Sequence, residues 1–118
     1  LREAPAIDGY GGGGFRVAGA WIEGSVLILY DMAQPWPVAS LDALTLEAFD
    51  AILAAGRETV EFVLLGTGEG TAAPPKAVRV ALAEAGLGLE VMDTVSACRV
   101  YNMLAQDGRR VAAALIAI

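Results

Sequence analysis

An α/β domain is predicted by three features of this chain. Short apolar runs, Val26-Leu27-Ile28-Leu29 and Val60-Glu61-Phe62-Val63-Leu64-Leu65, have the length and character of strands buried on both faces. Other stretches carry apolar residues at helical spacing. Beyond Val60 the two patterns alternate as strand, helix, strand, helix, strand, which argues for a sheet with helices packed against it.

Taken in order, residues 1–14 read as a flexible, glycine-rich lead-in, and 15–118 as a single domain. Gly9, Gly11 and Gly14 match G-x-G-x-x-G literally, but no strand precedes them and a strand, not a helix, follows. The plainer reading is a flexible arm or a bulged strand entry. The other is a set of backbone amides lining a cleft. Phe15 to Trp21 and Ser25 to Tyr30 read as two strands of a hairpin, turned at Ile22-Glu23-Gly24. The second is continuously apolar and should be the more deeply buried. Gln34-Pro35-Trp36-Pro37 must be extended, because each proline restricts the residue before it. Trp36 is placed to cap an open end of the core; the other reading is that it lines a pocket.

Thr45 to Ala55 has helical spacing, with Phe49, Ile52 and Leu53 on one face, Thr45 as N-cap and Gly56 as the stop. Strand Val60–Leu65 runs into a loop, 66–73. Pro75 opens a second helix whose stripe is Ala77, Val78, Ala81, Leu82 and Ala85, ended by Gly86. Leu87 to Met92 is a third core strand. Thr94 is the expected N-cap of a helix reaching Gln106, with Ala97, Val100, Tyr101 and Leu104 facing the core. Asp107-Gly108 is a turn, and 110–118 a final strand. The strand-helix-strand unit from Val60 to Met92 should place its strands parallel. Gly66-Thr67-Gly68 and Asp93-Thr94 then converge at one edge, where α/β sheets commonly bind ligands.

Composition narrows the function. The chain has 118 residues and a net charge of −6, with no histidine and one cysteine. An acidic surface repels phosphate backbones, so no nucleic-acid partner is expected. The absence of histidine removes Ser-His-Asp and Cys-His chemistry. One cysteine excludes an internal disulfide and a cysteine metal cluster, so no metal site is expected. No apolar run approaches the ~20 residues of a membrane-spanning helix. Leu1 to Asp8 lacks the pattern of a secretory signal, and the expected location is the cytoplasm.

The convergent edge carries the candidate chemistry. Gly66-Thr67-Gly68-Glu69-Gly70-Thr71 between a strand and a helix suggests half of a dinucleotide site. Thr71 stands where the third glycine belongs, Glu69 would repel a pyrophosphate, and Pro74-Pro75 remove amide donors at the helix start. No cofactor is therefore expected. Gly66, Thr67, Gly68, Glu69, Asp93, Thr94, Ser96, Arg99 and Asn102 form the candidate pocket. The plainer reading is a helix cap and a partly buried ion pair. The functional reading is a small polar pocket for an anionic ligand or a partner's side chain. Cys98 reads as a small buried hydrophobe, and no catalytic residue is assigned.

Several ordered blocks resemble the Mth938-like family, which is similar to the mitochondrial complex I assembly factor 3 proteins. They are Tyr10 with the glycines to Phe15-Arg16-Val17; Gly24 to Leu29; Trp36; Leu64 to Gly68; Val91 to Thr94; and Ala97 to Leu104. The resemblance implies a compact three-layer α/β fold: a mixed central sheet, with an N-terminal β-hairpin followed by α-β-α-β-α-β. It further implies a last strand antiparallel to its neighbours. It carries no catalytic set, and it points to a non-enzymatic protein-interaction or assembly-factor-like module. The alternative is a small-molecule binder, or an enzyme, using the Gly66–Gly68 and Asp93–Arg99 loops. Protein partners, or a second copy of the chain, fit the first reading, and a small anionic ligand the second.

Overall fold

The computed structural model describes residues 4–118. Its centre is a five-stranded mixed sheet in the order β5-β4-β8-β6-β7. These strands are β4 (Val26–Leu29), β5 (Met32–Pro35), β6 (Phe62–Gly66), β7 (Gly88–Met92) and β8 (Val111–Leu115). β6 is parallel to both β7 and β8, while β4 is antiparallel to β5 and β8.

Alternation along the inner strands sorts two cores. Leu27, Val63, Leu65, Ala112 and Ala114 face one side, with Phe49, Ile52, Val78 and Leu82 from α1 (Asp50–Ala55), α2 (Lys76–Glu84) and the turn before α1. Val26, Ile28, Leu64, Ala113 and Leu115 face the other, with Ala97, Cys98 and Tyr101 of α3 (Thr94–Gln106). Both faces are covered, which is why these strands read as unbroken apolar runs rather than alternating ones. Trp36 closes the first core. It is 4% exposed, donates from Nε1 to the Ala48 carbonyl at 2.9 Å, and meets Phe49 edge-on at 5.7 Å.

A second sheet of three strands, β1 (Ile7–Gly11), β2 (Gly14–Val17) and β3 (Ala20–Glu23), shares the α3 side. It places Ile7, Phe15 and Val17 in the second core. The outer face of this sheet carries Trp21, whose indole lies across Gly14 and donates to Glu23 Oε1 at 2.8 Å.

Three expectations need correction. The lead-in is not a loose arm over its described part: β1 pairs with β2 through a bulge between Ile7 and Gly9, and Gly13 N–H donates to Ile118 O at 2.8 Å. Residues 1–3 of the proposed arm lie outside the described residues. The strands expected to pair as 15–21 with 25–30 belong to different sheets. The tight turn falls at Ala18-Gly19, both at positive φ (49° and 82°), as a two-residue hairpin turn requires, and Gly24 then carries the chain into the larger sheet. Finally, β8 is antiparallel to β4 but parallel to β6, because α3 returns the chain to the edge from which β7 started.

The helices also shift slightly. The stretch after Thr45 begins as a 3-10 turn, Leu46–Phe49, and Thr45 makes no side-chain cap bond. Asp93, not Thr94, caps α3: its carboxylate accepts from the Ser96 N–H, while the Thr94 hydroxyl is turned to Gly68 and Ile116.

Candidate functional site

The glycine loop and the start of α3 meet at the carboxyl ends of β6 and β7. Thr67 N–H donates to Met92 O at 2.9 Å, and Thr94 N–H to Gly68 O at 2.8 Å. The Thr94 hydroxyl, fully buried, accepts from Gly68 N–H at 2.9 Å and donates to Ile116 O at 2.8 Å. Ile116 N–H in turn donates to Gly66 O at 3.0 Å. One hydroxyl thus ties β6, α3 and the segment after β8. Gly66 suits the closeness of this junction, because a Cβ there would lie 3.0 Å from Thr94 Cα, Thr94 Oγ1 and Leu115 Cδ2, and those neighbours would have to give way. Thr67 Oγ1 bonds within its own loop, to Gly70 O.

Asp93 occupies the N-terminus of α3. Its Oδ1 accepts from Ser96 N–H at 2.9 Å and its Oδ2 from Ser96 Oγ at 2.8 Å. Those bonds, helped by the charge of Arg99, hold its carboxyl below the usual range. The helix end that would favour an incoming anion is therefore already neutralised by the chain's own carboxylate. Glu69 and Arg99 are exposed. Asn102 is not part of this edge. Two turns along α3, its amide pairs with the backbone of Ile7. A hollow of about 360 Å³ lies beside the loop, against Thr71, Pro74, Arg79 and Val91.

Other reactive groups are muted. Burial pushes the Cys98 thiol up to about 12 and raises the Tyr101 phenol as well, opposite to the shift that activates a nucleophile. Among the described residues no cluster of acids and cysteine has the arrangement to hold a metal ion.

The larger concavity lies at the opposite end of the sheet. A cleft of about 710 Å³ opens between the approach to β1, the end of α3 and the turn before β8. Sequence reading missed it because its walls come from segments far apart in the chain, none carrying a motif. The adjacent pair Arg109-Arg110 was its one legible signal.

A mixed five-stranded sheet, helices on one face, and a helix with a small second sheet on the other define a three-layer α/β protein of Mth938-like architecture. The chain belongs to the family described as protein of unknown function (DUF498/DUF598), whose model matches residues 7–116. An uncharacterised protein of Rhodobacter capsulatus is 44% identical over 110 residues, 93% of this chain and 82% of that protein. NADH dehydrogenase (ubiquinone) 1 alpha subcomplex assembly factor 3 of Bos taurus is 35% identical, over 98% of this chain. The match spans 64% of the bovine protein's own length.

Among solved structures, one described as an outer membrane protein from Bartonella henselae superposes with a TM-score of 0.89 at 32% identity, covering 99% of this chain and 98% of that one. A Mth938-like domain from Bordetella pertussis shares the fold, with a TM-score of 0.80 at 24% identity over 95% and 85% of the two chains. Among the described residues no helix is long and apolar enough to cross a membrane.

Proposed function

We propose that this chain is a non-enzymatic protein-interaction module acting in the assembly of a respiratory NADH dehydrogenase. The observation that carries the reading is the match to assembly factor 3 along 98% of the chain, with no large insertion needed to align it. The local chemistry agrees. The Thr67, Thr94 and Asp93 side chains at the glycine edge hold the fold together, and the thiol and phenol of α3 are buried in their neutral forms. Contact surface is available instead. Trp21 is 47% exposed yet fixed by Glu23 and Gly14, and an ordered aromatic of this kind gives contact area at low entropic cost.

Deletion of the gene in its native host tests the reading. Assembled NADH dehydrogenase, measured on native gels by activity staining, should fall and be restored by the wild-type gene. Tagged protein should also retain subunits of that enzyme after crosslinking. Normal enzyme levels in the deletion strain, with no such subunit recovered, would sink the assembly role.

A further inference from the structure

The cleft opposite the glycine junction has the chemistry of a ligand site. At about 710 Å³ it falls within the ~300–1,000 Å³ usual for small-molecule pockets. We propose that it binds a small amphiphilic anion, with the charged group on Arg110 and an apolar body against Ile7, Ala105 and Val111.

Charge is the first argument. The chain carries a net −6, yet the described lining holds two arginines against one acid, Asp8. Asp8 is engaged at the turn between β2 and β3, where its Oδ2 accepts from Gly19 N–H at 2.7 Å. The arginines have separate tasks. Arg109 lies over the Phe62 ring at 5.6 Å and pairs with Glu61 at 3.4 Å, which fixes the turn. Arg110 donates its backbone N–H to the same carboxylate at 3.0 Å; its guanidinium adds to the charge that Glu61 feels but makes no hydrogen bond or ion pair among the described residues. A guanidinium anchored by its own backbone and open at its tip is suited to a carboxylate or phosphate.

Rigidity is the second. The Asn102 amide is committed to both backbone groups of Ile7, so the wall between α3 and β1 is fixed. Tyr30, also on the lining, belongs to the two-residue turn between β4 and β5, and its φ of 61° is set by that hairpin. Apolarity is the third: Ala6 and Ala105, with the edges of the otherwise buried Ile7 and Val111, give the lining contacts that inorganic anions would not use.

Amide NMR titration of the full chain with octanoate and with hexyl phosphate separates the two headgroups. Acetate, inorganic phosphate and octanol serve as controls. Saturable shifts at Ile7, Gln106, Arg110 and Val111 with either amphiphile are expected. Arg110→Gln should weaken that binding about tenfold, and Arg110→Lys should retain most of it. Arg110 is exposed, so the variant spectra report binding in a folded protein. The proposal is overturned if neither amphiphile saturates, if Arg110→Gln binds as wild type does, or if octanol shifts the same amides equally well.

Discussion

Asn102 holds Ile7 by both of its backbone groups: Oδ1 accepts from the Ile7 N–H at 2.8 Å, and Nδ2 donates to the Ile7 carbonyl at 2.9 Å. The side chain thus does for β1 what a neighbouring strand would do. One residue earlier, Tyr101 Oη donates to Pro5 O at 2.8 Å. Together they fasten the first described strand to a helix formed some 95 residues later. Asn102→Ala removes two hydrogen bonds and leaves both partners unpaired in a partly buried site, a loss of ~2–3 kcal/mol. Urea denaturation measures the loss, and amide exchange at Ile7 should accelerate more than exchange in β6. Unchanged stability would show that water replaces the side chain.

Thr94 allows a cleaner separation of polarity from shape. Thr94→Val keeps the volume and removes the hydroxyl that bonds Gly68 and Ile116. A cost of ~2–4 kcal/mol is expected, since one buried donor and one buried acceptor lose their partner. Thr94→Ser keeps the hydroxyl and should cost only ~1 kcal/mol for the lost methyl group. Denaturation midpoints of the two variants decide the matter, and reversal of their order would refute the assigned role.

Gly14 is a packing requirement rather than a turn requirement. An added Cβ would lie 2.5 Å from Ile22 O and 2.5 Å from Trp21 Cζ2. The indole can swing away, but the backbone carbonyl cannot do so cheaply. Gly14→Ala should therefore destabilise by ~1–3 kcal/mol and release Trp21 from Glu23. The Trp21 indole N–H resonance should shift toward its exposed position, while that of Trp36 stays in place. A Trp21 signal identical to wild type would contradict the described packing.

Cys98 and Tyr101 set an alkaline limit. Burial raises both pKa values in the folded chain, the thiol's to about 12. Unfolding returns the thiol to its ordinary value near ~8.5, so between those limits the unfolded chain has released a proton that the folded chain retains. The native state then binds more protons, and stability falls as pH rises through that window. Urea midpoints at about pH 8 and about pH 10.5 should show the fall, with a shallower slope in Cys98→Ala. Equal slopes in the two proteins would exclude the thiol as a contributor. Near neutral pH, a thiol-specific reagent should label Cys98 only after unfolding.

The parts legible in the sequence were those whose neighbours lie close along the chain. The buried run ending at Leu65, the stripe of α2 and the Thr94–Gln106 helix all declare themselves through spacing. So does the meeting of Gly68 with Thr94, which follows from two parallel strands ending at one edge. Pairing partners are a different matter. Ala20-Trp21-Ile22-Glu23 is too short and mixed to signal a strand, and its Ile22-Glu23-Gly24 end resembles a turn. Nothing in Phe15 or Val26 says that they belong to different sheets. Asn102 falls on the same helix as Ser96 and Arg99, so periodicity grouped it with them. Its actual partner, Ile7, is reached only through the fold. The Arg110 cleft is the extreme case, assembled from segments around residues 7, 59, 105 and 110.

The position of β8 has a consequence for biogenesis. It lies between β4 and β6, although residues 111–115 are made after every other strand. Until they leave the ribosome, the β4–β5 hairpin and the β6–β7 pair have no shared hydrogen-bonding partner, and each exposes an apolar edge that β8 will later cover. At typical synthesis rates of ~5–20 residues per second, the chain spends seconds in this divided state. Chaperone demand should therefore peak just before residue 111 emerges, and insertion of a three-alanine strand is the event that converts two sticky fragments into one domain.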